Sequence, residues 1–587
     1  MENYLRNFNH WLNNKNLQDE LKKELGSIEG NEDEIKDRFY HNLSFGTGGI
    51  RGLLGAGTNR VNLYTIRLIA EGLALYVKTS GTKAMQQGIV IAYDTRHFSK
   101  EFAHETAKVL GKHNIQVYLF TESRPTPQLS FAIRHLKAFA GVVITASHNP
   151  ASYNGFKVYG EDGGQLSPEL ADKIEQFMET VDDLLSIGIE EEFKLSEKGL
   201  LHFVLDEIDC AYQERLIALC EDPSVIHKFG KELSIVYTPL HGSGLTPVVD
   251  GLKAFGFQNI HIVEEQAEPD PNFPTIQTPN PESHEAFELA IDIGSKINAD
   301  LLIATDPDAD RLGIVVRNKK GEYLHLSGNQ LGALLLHYIL LQKTSKDELP
   351  HNGILLKSIV TSDMGCAIAK KFSVQTMETL TGFKFISEKI GEFSQTGRHT
   401  FLFGYEESCG YLIGDFTRDK DAVQAALLTS EMASYYKALG KTLTCALQDL
   451  YKELGYYSES VVSLKMDGLA GQLRIQRMME ALRNEPPSLS IQLLAIDDYE
   501  EQRRYYVSGE IEPLKLPKAN VLKYHLSDAS WICVRPSGTE PTIKFYFGVK
   551  KETLEEASRA LKSLRNEFIH YLNQHSVNLS FNKSITV

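Results

Sequence analysis

Short runs of β-branched and apolar residues alternate with longer amphipathic stretches over most of the chain, the pattern of α/β units with buried, mainly parallel strands. Three runs share one shape. Gly88-Ile-Val-Ile-Ala-Tyr-Asp94, Leu233-Ser-Ile-Val-Tyr-Thr238 and Gly353-Ile-Leu-Leu-Lys-Ser-Ile-Val360 each read as a core strand emptying into a polar loop, with a helical segment behind it. They hint at a repeated unit, although any α/β chain offers similar strands. After about Tyr456 the texture changes. A helical run from Gly471 to Leu482 ends at Pro486-Pro487, and a strand pair around Trp531 and Phe545 precedes a last helix, which reads as a separate α+β domain. No low-complexity segment or long Gly/Ser linker intervenes, so the domains are expected to pack closely.

Length and charge narrow the picture. At 587 residues the chain is too long for one core, and about 100–200 residues per domain predicts three to five. With 42% hydrophobic and 24% charged residues it reads as a soluble globular protein. The net charge of −16 argues against nucleic acid or an anionic membrane as partner, because those surfaces require a basic face. An anionic small molecule would need local basic clusters. Met1 to Leu25 is polar and reads as a mature helix, not a signal peptide. The richest apolar run, Leu331–Leu341, is broken by His337 and Tyr338 and falls short of the roughly 18 residues of a membrane span. Six scattered cysteines without Cys-x-x-Cys spacing fit neither a disulfide framework nor a zinc site, so a reducing cytoplasm is expected.

Four loops carry candidate chemistry. In Ala299-Asp-Leu-Leu-Ile-Ala-Thr-Asp306-Pro-Asp308-Ala-Asp310-Arg311 an apolar strand leads into carboxylates at i, i+2 and i+4, which share one face of an extended backbone. Three clustered anions call for a cation, and hard oxygens suit Mg²⁺ or Ca²⁺. Arg311 and Arg317 stand where an EF-hand needs Gly and Glu, which argues against a calcium sensor. The plain alternative is an acidic turn closing a strand. Gly141-Val-Val-Ile-Thr145-Ala-Ser147-His148-Asn149-Pro150 is a buried strand breaking into hydroxyls, an imidazole and an amide, with Pro150 keeping the preceding residue extended. A turn-forming serine is the commoner reading of such a loop, and no Gly-x-Ser-x-Gly elbow is present. Gly404-Tyr-Glu406-Glu407-Ser408-Cys409-Gly410, with Arg418-Asp-Lys420-Asp421 behind it, suits sugar hydroxyls, since a carboxylate accepts two hydrogen bonds at once; a solvated charged turn is the alternative. Arg535-Pro-Ser537-Gly538-Thr539-Glu540-Pro541 offers an N–H nest and a guanidinium fork for phosphate, or a simple turn. Ser44-Phe-Gly46-Thr-Gly48-Gly49-Ile-Arg51-Gly52 has Arg51 where a dinucleotide fingerprint has its third Gly, and Tyr435 stands where a P-loop ending at Gly440-Lys441-Thr442 has its first. ATP and NAD are therefore poorly supported.

Together and in order, Thr-Ala-Ser-His-Asn-Pro, Asp-x-Asp-x-Asp-Arg, Gly-x-Glu-x-Ser and Arg-x-Ser-Gly-Thr resemble the α-D-phosphohexomutase superfamily over nearly the whole chain. The resemblance is to the bacterial phosphoglucomutase branch that is also similar to eukaryotic phosphopentomutases and glucose-1,6-bisphosphate synthases, through Gly46-Thr-Gly-Gly-Ile-Arg51-Gly, Leu380-Thr-Gly-Phe-Lys384 and Arg418-Asp-Lys-Asp421. It implies four domains around a central cleft, three of related α/β architecture and a C-terminal α+β domain. The motifs divide these as 1–215 with the phosphoserine loop, 216–325 with the metal loop, 326–455 with the sugar loop and 456–587 with the phosphate loop.

It also implies roles. Ser147 is the expected phosphoserine, with Asp306, Asp308, Asp310 and an oxygen on Ser147 completing an Mg²⁺ shell and Arg311 beside them. Arg51, Lys157 from Asn154-Gly-Phe-Lys157, Lys420 and His148 are expected near the transferring phosphoryl group. Glu406 and Ser408 would hold sugar hydroxyls, and Arg535, Ser537, Gly538 and Thr539 the phosphate not being transferred. The implied reaction interconverts glucose 1-phosphate and glucose 6-phosphate, with glucose 1,6-bisphosphate as intermediate and activator. Tyr411, where some phosphomannomutases carry His, weakens a mannose assignment. Phosphopentomutase, phosphomannomutase and bisphosphate synthase remain alternatives, as do a phosphatase using the same serine and a silent sugar-phosphate-binding protein. The sequence leaves the oligomeric state open.

Overall fold

The computed structural model describes residues 3–46, 49–466, 468–537 and 542–575. The chain divides into two compact units, Met1–Leu356 with Gly382–Thr444, and Lys357–Thr381 with Cys445–Val587.

The first unit begins with three helices, α1 (Asn3–Asn13), α2 (Asp19–Ser27) and α3 (Glu32–Phe39), whose Phe8, Trp11 and Phe39 pack edge to face and around Tyr64. The stretch read as one helix from Met1 to Leu25 is broken after Asn13. Asn14 Oδ1 accepts from the Asn16 amide at 2.9 Å, a local turn that competes with helix continuation.

A six-stranded sheet follows, built from β1 (Ile50–Leu53), β2 (Ile89–Tyr93), β3 (Val117–Phe120), β4 (Ala140–Ile144), β5 (Tyr153–Gly160) and β6 (Leu201–Val204), in the order β1-β5-β4-β2-β3-β6. Strands β2 and β4 are parallel and buried at every position, which is why they read as unbroken apolar runs. A second sheet holds β7 (Ile235–Thr238), β8 (Ile260–Ile262), β9 (Leu301–Thr305), β10 (Leu312–Arg317) and β11 (Tyr323–Leu326), in the order β11-β10-β9-β7-β8. The series β5-β4-β2-β3 and β10-β9-β7-β8 are the same arrangement, three parallel strands and one antiparallel strand at the side. The chain passes from one unit to the other within β12 (Gly353–Ser358), and β13 (Gln375–Thr379) belongs to the second unit. Back in the first unit, β14 (Thr400–Glu406) lies beside β12 and pairs antiparallel with β15 (Gly410–Leu412). The three runs read as one shape are thus β2, β7 and β12, and the turns β4–β5, β9–β10 and β14–β15 are equivalent points of three copies of one plan.

The second unit carries an antiparallel sheet of β16 (Tyr456–Lys465), β17 (Leu493–Asp498), β18 (Arg503–Tyr506), β19 (Ile511–Pro513), β20 (Leu522–Leu526), β21 (Trp531–Pro536) and β22 (Thr542–Lys551). Helices Gly468–Asn484 and Leu554–His575 pack on it through Ile475, Met479, Leu482, Phe568 and Leu572. This is the α+β texture read after Tyr456. The Leu331–Leu341 run lies in the buried helix Gly328–Ser345, opened by a Ser327 capping box. No helix among the described residues is long and apolar enough to cross a membrane.

Candidate active site

Three of the four chemistry-bearing loops are the three equivalent hairpin turns. Ser147 sits in the β4–β5 turn, buried, with φ +53°, a left-handed conformation that costs a non-glycine residue about 1 kcal/mol and persists only where neighbours fix it. Its amide donates to Thr145 Oγ1 at 2.8 Å and its hydroxyl to Asp306 Oδ2 at 2.8 Å, with His148 Nδ1 3.2 Å from the same Oγ.

The β9–β10 turn carries the aspartates. Strand β9 ends at Thr305, so the extended backbone that the i, i+2, i+4 spacing predicts does not gather them. A tight turn does. Asp306 Oδ1 accepts from the amides of Asp310 and Arg311 at 3.0 Å each, and Ala309 takes φ +46°. One carboxylate oxygen from each of Asp306, Asp308 and Asp310 lies within 4.8 Å of the others, all buried. Asp308 Oδ1 and Asp310 Oδ1 are buried without a hydrogen-bond partner. Three hard oxygen donors, two of them with an unused oxygen, fit Mg²⁺.

Cations surround the cluster. Lys157 Nζ lies 2.8 Å from Asp308 Oδ2 and 3.4 Å from Asp310 Oδ2, and Lys420 Nζ is 3.2 Å from Asp310 Oδ2. Burial pushes the Asp306 carboxyl well above its usual range, and the charges of Asp308 and Asp310 add to it. The same burial acts on Asp308 and Asp310, but Lys157 at the first and Lys420 with Lys157 at the second outweigh it and hold both low. Burial would also lower Lys420, yet Asp310 and Asp419 hold it above its ordinary value. Arg51 comes from β1, opposite Gly155, with Nη1 3.5 Å from Asn149 Oδ1 and Nε unpartnered.

The β14–β15 turn adds Glu406, whose Oε1 accepts from the Gly382 amide at 2.7 Å, and Ser408, whose carbonyl accepts from Arg311 Nη1 at 3.1 Å. Arg311 also pairs with Glu282. A Cβ on Gly410 would come within 2.2 Å of Lys420 Cδ, so this glycine is what lets the lysine run past the turn toward Asp310. Tyr411 is wholly buried, its hydroxyl donating to the Gly328 carbonyl at 3.3 Å. The first unit therefore brings together Ser147, His148, Arg51, Lys157, Asp306, Asp308, Asp310, Arg311 and Lys420, with Glu406 and Ser408 in the adjoining turn.

Arg535 and Ser537 lie in the second unit, at the end of β21, where the Ser537 amide donates to the Thr542 carbonyl at 2.7 Å. Gly538 and Thr539 fall outside the described residues.

Sequence reasoning passed over several contributors. Arg96, just past β2, donates Nη2 to the carbonyls of Ser147 (2.6 Å) and Asn149, and Nη1 to those of Pro150 (2.8 Å) and Tyr153 (3.1 Å). Thr126 Oγ1 donates to Asp308 Oδ2 at 2.8 Å. Asp419 accepts from the Lys420 amide, from Tyr159 Oη at 2.8 Å and from Gln165 Nε2 at 2.7 Å. A polar loop after an apolar strand was the available signal for Arg96; nothing local marked Thr126 or Tyr159.

Four family descriptions match in order: "Phosphoglucomutase/phosphomannomutase, alpha/beta/alpha domain I" over residues 42–184, domain II over 211–321, domain III over 327–454 and the C-terminal domain over 490–562. The chain is 40% identical over 524 residues to a phosphoglucomutase of Staphylococcus haemolyticus, covering 89% of this chain and 93% of that one. It is 39% identical over 540 residues to a phosphoglucomutase of Staphylococcus aureus, covering 90% and 94%. Among solved structures, the pp63/parafusin phosphoglucomutase of Paramecium superposes with a TM-score of 0.67 at 16% identity, over 93% of this chain and 98% of that one. A Burkholderia thailandensis phosphoglucomutase/phosphomannomutase family protein superposes with 0.64 at 18%, over 92% and 99%. At these identities the two structures speak to the fold.

Proposed function

Because the chain belongs to the phosphoglucomutase/phosphomannomutase family, we propose that it carries phosphate between the 1- and 6-positions of glucose on Ser147. The protein is an enzyme, an intramolecular phosphotransferase, and its reaction is that of a phosphoglucomutase. Phospho-Ser147 gives its phosphoryl group to O6 of glucose 1-phosphate: the Oγ–P bond breaks, the O6–P bond forms and the O6 proton ends on Ser147 Oγ. The glucose 1,6-bisphosphate so made turns around and returns its other phosphate to Ser147: the O1–P bond breaks, the Oγ–P bond re-forms, the Oγ proton passes to O1 and glucose 6-phosphate leaves. The same bisphosphate primes enzyme that has lost its phosphate, which makes it the activator.

Phosphoryl transfer asks mostly for positioning and charge stabilisation. Lys157, Lys420, Arg51 and Arg311 supply fixed cations, and His148 lies against the Ser147 hydroxyl. Asp306, Asp308 and Asp310, with an oxygen on Ser147, would hold Mg²⁺, which when bound neutralises phosphoryl charge. Glu406 and Ser408 hold sugar hydroxyls, and Arg535, Ser537, Gly538 and Thr539 hold the phosphate not in transfer; that last assignment rests on the motif. Domain limits of 1–215, 216–325, 326–455 and 456–587 are proposed on the same ground, and cysteine usage supports a cytoplasmic location.

The observation that carries this reading is the 2.8 Å hydrogen bond from Ser147 Oγ to Asp306 Oδ2, which joins the serine to the carboxylate cluster. The test is a coupled assay of glucose, mannose, ribose and glucosamine 1-phosphates with catalytic bisphosphate present. Glucose 1-phosphate is expected to have the highest kcat/KM. A higher value for ribose or mannose would reassign the substrate, and release of inorganic phosphate in place of isomer would make the protein a phosphatase.

The two binding loops are expected to respond differently to mutation. Arg535→Ala removes a charge-assisted contact worth roughly 1.5–3 kcal/mol and is expected to cost about ten- to a hundred-fold in kcat/KM, alike for glucose, mannose and ribose phosphates. Glu406→Ala is expected to cost most for the sugar whose hydroxyls the carboxylate pairs with. If Arg535→Ala discriminated among sugars while Glu406→Ala scaled them all equally, the division of labour would be reversed.

A further inference from the structure

We propose that Arg96 is a positioning residue for phosphoryl transfer, holding the carbonyl dipoles of the serine loop away from the phosphoryl group on Ser147; this rests on Ser147 being the carrier. One guanidinium takes four carbonyls from seven residues of chain, those of Ser147, Asn149, Pro150 and Tyr153. All peptide bonds here are trans, so each amide hydrogen points opposite its carbonyl. Turning the Ser147 carbonyl inward onto Arg96 therefore turns the His148 N–H the other way. A phosphoryl group carries nearly two negative charges, and a carbonyl oxygen facing it would repel it, whereas an N–H attracts it. The Pro150 carbonyl also accepts from the Tyr153 amide at 3.0 Å and Tyr153 opens β5, so it is the Ser147 and Asn149 carbonyls, in the loop where Ser147 takes φ +53°, whose direction depends most on Arg96.

Arg96 is itself fixed. Its backbone amide donates to Asp94 Oδ1 at 2.9 Å, an oxygen that also accepts from Ser99 Oγ at 2.7 Å. Nε approaches Asp94 Oδ2 to 3.2 Å as an ion contact without hydrogen-bond alignment, and the guanidinium lies over the Phe273 ring at 5.0 Å. Both charged side chains are fully shielded from solvent. Lysine cannot replace this arrangement. A single ammonium offers three donors from one point, where four carbonyls are spread across a planar fork.

The test is Arg96→Lys, phosphorylated with glucose 1,6-bisphosphate and followed by ³¹P NMR, by release of inorganic phosphate and by steady-state kinetics. The phosphoserine resonance is expected to move from its wild-type position. Attack by water, which breaks the Oγ–P bond and returns a proton to Oγ, is expected to shorten the phosphoenzyme lifetime about tenfold, while kcat falls about 30- to 100-fold and KM stays within about threefold. An unmoved resonance and unchanged lifetime would overturn the proposal, as would a kcat loss matching the unfolded fraction by circular dichroism. If Arg96→Lys does not fold, Asp94→Asn, which keeps the guanidinium but loosens it, is expected to shift resonance and lifetime in the same direction, and no shift there overturns it equally. Wild-type protein that holds no phosphate on Ser147 by mass spectrometry after bisphosphate treatment would sink the reading of Ser147 itself, a result distinguishable from failure of Arg96.

Discussion

Ser147→Ala is expected to abolish interconversion of the sugar phosphates, by at least about 10⁴-fold in kcat/KM, while the protein stays folded. In the proposed reaction its Oγ carries the phosphoryl group, and the neighbouring Thr145 hydroxyl is not placed to take over. Thr145 Oγ1 already accepts from the Ser147 amide and is wholly buried. The structural cost is small. The left-handed conformation strains Ala no more than Ser, and the lost hydrogen bond to Asp306 is worth about 1–3 kcal/mol. A fall of a few degrees in Tm follows, about 2–4 °C per kcal/mol for a domain of this size. The measurements are a coupled assay with and without glucose 1,6-bisphosphate, and intact mass after incubation with it. Wild type should gain one phosphate and the variant none. Retention of more than about 1% of the activity would remove Ser147 from the mechanism.

How far the sequence foretold this site depends on the range of each interaction. Strands β2, β4 and β9 are buried at every position and so read as apolar runs, and the loops beyond them stood out because polar residues interrupt those runs abruptly. Ser147 and Asp306 were visible for that reason, and Glu406 through the adjacent acids and serine of a Gly-bounded loop. Their common position in a repeated plan was not, because strand order is set by packing between distant segments. The aspartate spacing suggested an extended strand, whereas Pro307 follows a strand that has already ended and the Asp306 side chain folds the turn on itself. Arg96 illustrates the limit. Its partners lie 51 to 57 residues away, and only the parallel pairing of β2 with β4 brings the Asp94–Arg96 loop beneath the serine loop. Arg418, quoted within the same motif as Lys420, turns instead to Asp415 and Ser394. Residues two apart in one turn reach different partners, and a motif does not say which one faces the site.

Replacing Asp308 with Asn separates the metal's contribution from that of the lysines. Asp308 uses one oxygen for Thr126 and Lys157, at 2.8 Å each, and keeps the other buried without a partner. An amide cannot serve both sides as the carboxylate does. If its oxygen faces Lys157 and Thr126, its NH₂ points into the cluster and repels a cation; if the amide turns over, NH₂ faces an ammonium and the oxygen left for the metal is neutral. In either orientation the cluster loses one of the three carboxylates proposed to hold Mg²⁺, and of the two carboxylates Lys157 pairs with it keeps Asp310. Calorimetry is expected to give a Mg²⁺ affinity weaker by about ten- to a hundred-fold, equivalent to about 1.4–2.7 kcal/mol. With Mg²⁺ raised to saturate the variant, kcat should still be down by about 10²-fold, because the charge facing the phosphoryl group has changed as well as the occupancy. That residual loss is the informative part. If saturating Mg²⁺ restored the full rate, Asp308 would be a metal ligand and nothing more, and if affinity matched wild type while the rate fell, its role would lie in holding Lys157. Wild-type affinity together with wild-type rate would place the metal elsewhere.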